Sequence, residues 1–187
     1  MPESTTTEAS TGTQPETNIS AAMRDTVGTE LSRQVSYPVS ESDIRRWAIA
    51  VYWPEEPPAA FLDAKVAAGG VHNGIVAPEE FNPFAWAVAE RRAANPDAVI
   101  DTNDPDNVEI ALGIPGPGLR FQLNGGMETW YGVRMRPDDV ITSVCRLGSY
   151  SERAGRLGLM LFSRTEDTWT NQNGELVKKT VNTLIRY

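Results

Sequence analysis

The chain has 187 residues, 40% of them apolar and five of them Trp, which is enough to build one folded domain around bulky core anchors. A net charge of −8 and a pI near 4.7 argue against nucleic acid and anionic membrane surfaces as partners. The single cysteine, Cys145, excludes an intrachain disulfide and a cysteine-cluster metal site, and its place in a strand run points to a buried, inert thiol. With no signal peptide and no apolar run of about 20 residues, the expectation is a soluble, cytoplasmic protein.

Met1 to Ser20 is rich in Thr, Ser, Glu and Pro, and Ile19 is its only large aliphatic residue. Such a segment buries too little apolar surface to offset the entropy of ordering it. Residues 1–22 are therefore expected to be a disordered tail and residues 23–187 a single domain. Thr26 to Glu30 looks like the first turn of the folded unit, and Val35 to Val39 like a short extended piece. A helix follows. Ser40 or Ser42 is its cap, acids occupy its first turn, and Ile44, Trp47, Ala48 and Val51 form an apolar stripe while Arg45 and Arg46 face out. Pro54 and the Pro57-Pro58 pair stop it, and a weaker helical stretch covers Ala59 to Ala68.

Gly69 to Pro78 is a glycine-punctuated loop leading into another helix, whose apolar face is Phe81, Phe84, Ala85 and Val88, with Arg91 and Arg92 near its C-terminal end. Pro83 conflicts with one continuous helix, so the helix either begins at Asn82-Pro83 with Asn82 as cap or bends there. Asn95 to Asn107 is a polar, Asp/Pro-rich surface loop. Gly113 to Gly118 cannot be regular structure, and Val108 to Leu112 and Leu119 to Leu123 are expected as short strands around it. That glycine-rich stretch does not cradle phosphate, because its prolines remove N–H donors and no Lys follows. The paired acids at Asp138-Asp139 and at Asp104 and Asp106 sit in turns, and no metal is implied.

Leu123 to Tyr187 is a strand block. Its first run, Met127 to Val133, closes on Arg136-Pro137-Asp138-Asp139, where Pro presets a turn. The second starts at Val140 and passes through Cys145 towards Tyr150, and a polar break at Ser151 to Gly155 leads to Leu157 to Trp169. Asn171 to Gly174 supplies a hairpin signal, since Asn-Gly tolerates positive φ. In the last run Val177, Lys179, Val181, Thr183, Ile185 and Tyr187 share one face, while Lys178, Thr180, Asn182, Leu184 and Arg186 share the other. An internal helix followed by a long antiparallel meander predicts an α+β architecture, with a long central helix wrapped by an antiparallel β-sheet.

Three places carry a family resemblance. Val27 to Glu30 with Val39 to Ala48 looks like an opening strand and first helix. Gly74-Ile75-Val76-Ala77-Pro78 with Phe81 looks like the approach to a central helix. Asn124-Gly125-Gly126 followed by Arg136 to Ile141 resembles the return of a sheet hairpin. Together, over Val27 to Tyr187, the sequence resembles the MaoC-like hydratases and dehydratases of the hot-dog fold, in particular their N-terminal or accessory half.

The resemblance implies an acyl-thioester site. Such proteins reversibly add water across the double bond of an enoyl chain carried on coenzyme A or acyl carrier protein. An Asp and a His five positions apart, in a loop before the central helix, do the general acid–base work. This chain has one histidine, His72, and five positions before it stands Ala67. No catalytic residue is therefore assigned, with His72 the sole candidate, and its plain alternative is a channel-mouth polar residue. The resemblance then implies an accessory subunit, with fatty acyl or steroid side-chain thioesters as substrates. It would form the substrate tunnel beside a catalytic hot-dog partner that supplies the Asp/His pair, as a heterodimer or heterotetramer and without a cofactor. His72, Asn73, Gly74, Phe81 and Phe84 are the expected substrate-binding residues, with Trp86 beside them, and core packing is the competing role for the aromatics. Two rival readings remain open: a non-catalytic acyl- or lipid-binding module, and a thioesterase-type hot dog using Glu79 or Glu80.

Overall fold

The computed structural model describes residues 17–87 and 103–187 of the chain. Its framework is a five-stranded, wholly antiparallel sheet built from β1 (Glu30–Val35), β2 (Gln122–Tyr131), β3 (Thr142–Gly155), β4 (Gly158–Thr170) and β5 (Leu176–Arg186), in the order β1-β3-β4-β5-β2. Strands β3 to β5 are the meander expected from the C-terminal third. Their β4–β5 turn uses the Asn-Gly signal: Gly174 has φ +76°, and the Asn171 carboxamide oxygen accepts from the backbone N–H groups of Asn173 and Glu175, both at 3.0 Å.

The expected break at Ser151 to Gly155 is instead strand. Its ladder runs on to Gly155 opposite Gly158, leaving Arg156 and Leu157 as the turn. Most side chains there are exposed, so no apolar alternation marked the pairing, which rests on the backbone alone. A second correction concerns Val108 to Leu112, which is helical (Asn107–Leu112) rather than a strand. Gly113, at φ +69°, ends that helix in the left-handed conformation that glycine adopts without penalty.

Helix α1 (Ala21–Asp25) starts at Ser20, whose hydroxyl caps the N–H of Met23, and Met23 itself is 1% exposed. Just upstream, Thr17 and Asn18 bond to the Glu152 carboxylate and Asn18 also donates to the Leu159 carbonyl. The stretch 17–22, assigned to the tail from composition, is thus held against the β3–β4 hairpin. Residues 1–16 lie outside the described residues.

Helix α2 (Glu41–Tyr52) has the expected Ser40 cap, bonded to the Asp43 N–H, and buries Ile44 and Ala48 completely. Val51 departs from the expected stripe and is 52% exposed, because the helix leaves the core in its last turn. The Ala59 to Ala68 stretch divides into a short 3-10 turn (Ala59–Phe61) and α3 (Ala64–Ala68), separated where the Asp63 carboxylate caps α3. Helix α4 is Asn107–Leu112. Of the expected central helix, Pro83 to Trp86 form a turn after irregular Phe81 and Asn82, with Asn82 accepting from the Phe84 N–H, and Ala87 is helical. Val88, Arg91 and Arg92, and the loop from Asn95 as far as residue 102, fall outside the described residues.

The register gives the sheet two distinct faces. Leu147, Leu161, Ser163, Trp169, Thr180 and Arg186 lie on the inner one and are buried. Around Trp169 the core is completed by Val39, Ile44, Ile75, Phe81, Phe84 and Met135. The outer face carries Arg146, Glu166, Arg164, Lys179 and Glu128. No helix among the described residues is long and apolar enough to cross a membrane.

Candidate functional site

The Gly69 to Trp86 loop separates its expected site residues into two environments. Gly74 donates its N–H to the Ala67 carbonyl at 3.0 Å, and Asn73 adopts φ +51°, so the chain reverses tightly after α3. His72 is half-buried there and lines a polar groove of about 560 Å³ with Gly132, Arg134, Arg136, Asp139, Asn171 and Glu175. Its carbonyl accepts from the Arg136 guanidinium at 2.6 Å.

Phe81 and Phe84, by contrast, are core residues at 5% and 7% exposure. Phe81 meets Trp47 edge-on at 5.7 Å between ring centroids, and Phe84 meets Trp169 edge-on at 5.1 Å. Such T-shaped contacts suit the aromatic quadrupole and fix the loop to the sheet. Of the expected site residues, His72 lines the groove, Asn73 and Gly74 form the turn beside it, and Phe81 and Phe84 pack in the core, Phe81 also lining a separate recess with Trp47 and Trp86.

Among the described residues, no carboxylate of the groove bonds the imidazole. Ala67, at the position an acid would need, is 2% exposed inside α3. The two carboxylates of the groove are occupied elsewhere: Asp139 accepts from the Arg136 N–H and from Gln172, and Glu175 accepts from Asn171. Among the described residues no carboxylate bonds His72. Glu79 and Glu80 are also engaged, Glu79 with Arg134 at 2.9 Å and Glu80 with Lys178 at 3.5 Å. Cys145 is half-buried, and burial together with the Asp167 charge pushes its thiol up, away from the reactive thiolate.

A second cluster lies at the other end of the inner face. Arg186 is fully buried and bonds the Glu109 carboxylate twice, at 2.7 and 2.8 Å. The same guanidinium reaches the Pro105 carbonyl, Asp106 and Ser163, while the Tyr150 hydroxyl donates to Glu109 at 2.5 Å. Burial alone would raise the Glu109 carboxyl, but the bonds from Arg186 and Tyr150 and the Arg186 charge hold it below the usual carboxylate range. Burial and the bond to Glu109 likewise push the Tyr150 phenol up. The cluster clamps α4 to β3, β4 and β5. Sequence reasoning placed Arg186 only on a strand face and assigned neither Glu109 nor Tyr150 a role.

Comparison with known proteins fixes the class. Residues 25–180 match the family described as the FAS1-like dehydratase domain region, and the chain belongs to that family. No curated protein matches the sequence. Among solved structures, the ChsH1-ChsH2 complex from Mycobacterium tuberculosis is similar with TM-score 0.59 and 18% identity, covering 85% of this chain and 84% of that one. A MaoC-like dehydratase from Rhodospirillum rubrum is similar with TM-score 0.50 and 17% identity, covering 86% and 92%. A monoamine oxidase regulatory protein from Archaeoglobus has TM-score 0.51 at 15% identity, covering 86% and 90%. The shared feature is the fold, the MaoC-like hot dog.

Proposed function

We propose that this chain is the accessory, tunnel-forming subunit of a heteromeric enoyl-CoA hydratase or (3R)-hydroxyacyl dehydratase acting on acyl thioesters. The observation that carries the reading is the isolation of His72: among the described residues the chain's one imidazole meets no carboxylate, and Ala67 stands where the acid would be. General acid–base hydration needs both groups, so they must come from a partner. Membership of a dehydratase family supports the reaction class. The similarity to a structure that is itself a complex, ChsH1-ChsH2, supports a second hot-dog chain.

The sheet offers a place for that partner. Strand β2 is an edge, and Leu123, Met127, Trp130 and Tyr131 along it are 50%, 63%, 49% and 39% exposed. These side chains sit on both faces of a strand that also carries Gln122, Asn124, Glu128 and Thr129, and an open edge strand of this length is a pairing surface.

Co-expression with a hot-dog chain carrying Asp and His five apart should give a heterodimer or heterotetramer by mass, active on trans-enoyl thioesters. The chain alone should be inactive. Turnover by the chain alone, lost by about 10²–10⁴-fold in His72→Ala, would make His72 a true base and sink the accessory role. A persistent homodimer beside a partner fully active by itself would leave the acyl-binding module as the reading.

A further inference from the structure

Beyond His72 and its groove, the inner face of the sheet carries a second recess, of about 480 Å³, where β2, β4 and β5 meet α4. Register places Thr165 opposite Asn182, and Ser163 and Asn124 each opposite Leu184, so these side chains share one face. Gln122 lines the same recess, and Val108 of α4 closes one side. The lining is mostly uncharged and hydrogen-bonding, on a face that also buries Ser163, Thr180 and Arg186.

Three of the polar groups are already engaged: Ser163 accepts from Arg186, Gln122 donates to the Asn103 carbonyl, and Asn124 accepts from the Gly126 N–H. The Thr165 hydroxyl and the Asn182 carboxamide, facing each other across β4 and β5, have no side-chain hydrogen bond among the described residues. An alkyl chain laid over them would strip their water and return nothing, whereas a ligand oxygen would bond both. With no unpaired charge on the lining, the fit is to a neutral oxygen function rather than to an anion.

We infer that this recess binds an oxygen-bearing, uncharged part of the acyl group, a hydroxyl or keto function, with Thr165 and Asn182 as the recognition pair. The inference rests on the acyl-thioester reading above and names its substrate class. The recess also lies away from the His72 groove. Trp169, which packs on Phe84 near the His72 end, is four residues along β4 from Thr165, about 13 Å at strand rise. On the acyl-thioester reading, Thr165 and Asn182 would meet a part of the acyl group away from its thioester.

The test is equilibrium binding of the full chain to palmitoyl-CoA and to its terminally hydroxylated counterpart, both below micellar concentration, with Thr165→Val and Asn182→Leu compared. The expected result is a preference of roughly tenfold or more for the hydroxylated thioester in the unaltered chain, reduced by either substitution while palmitoyl-CoA binding holds or improves. Equal binding of the two thioesters by the unaltered chain would overturn the inference and leave the acyl-thioester reading standing. Binding of neither would remove that reading and the inference with it. Preference unchanged in both variants would also overturn the assignment, since the selectivity would then reside elsewhere.

Discussion

The two faces of the sheet both carry ion pairs of the same length, and only one of those sets should matter to stability. On the outer face Lys179 meets Glu166 at 2.6 Å, Arg33 meets Glu30 at 2.8 Å and Arg164 meets Glu128 at 3.0 Å, all with exposed or half-exposed side chains. On the inner face Arg186 meets Glu109 at 2.7 Å with both side chains at 0% exposure. Distance does not separate these pairs. Water does. It screens the outer charges and stands ready to replace either partner, while the inner charges have given up their hydration and depend on each other.

The largest effect expected from this contrast is in Glu109→Leu, which leaves the buried Arg186 charge with only the partly exposed Asp106 carboxylate. Urea unfolding should show a loss of about 3–5 kcal/mol. The double variant Glu109→Leu with Arg186→Met should recover much of that loss, because the pair itself contributes less than its breaking costs. A single-variant loss under about 1 kcal/mol would erase the distinction between the faces.

Acid sharpens the same contrast at intermediate size. The Glu109 carboxyl is held below its ordinary value of 4.5, so below that value the unfolded chain binds the proton that the folded chain refuses. Its contribution is complete above pH 4.5 and is lost as pH falls through the lower folded-state value. Each pKa unit of depression corresponds to about 1.4 kcal/mol. Denaturant melts taken at successively lower pH should therefore converge for the unaltered chain and Glu109→Gln. Parallel curves would show that Glu109 does not titrate with folding. The smallest effect belongs to the outer face: Lys179→Met should change stability by no more than about 1 kcal/mol, and less at high salt.

These contrasts also explain what the sequence could and could not convey. The meander was legible because its signals are local: β-rich runs, an Asn-Gly turn, a Pro-Asp turn before β3. Helix α2 was legible in its cap and in Ile44, Trp47 and Ala48. Helix α4 was missed although Pro105 and Asp106 precede it and Gly113 ends it, because six residues are too few to establish a helical period. The burial of Arg186 had no local signal at all, since its carboxylate partner lies 77 positions away. At the candidate site, the loop was legible in its glycines, but whether an aromatic in it would face a channel or the core depended on Trp47 and Trp169, which meet it only in the folded chain.

The strand order carries a kinetic consequence. Strands β3, β4 and β5 join through short turns, so their ladders close with little loop entropy. The two edges are different: β1 must find β3 across Glu30 to Arg146, and β2 must find β5 across Gln122 to Arg186. Such distant pairings are slow to nucleate, so the central meander is the natural first structure and the edges close around it afterwards. The open strand at the β2 edge is then among the last parts of the sheet to settle. A partner arriving during assembly would meet that strand while it is still choosing its neighbours.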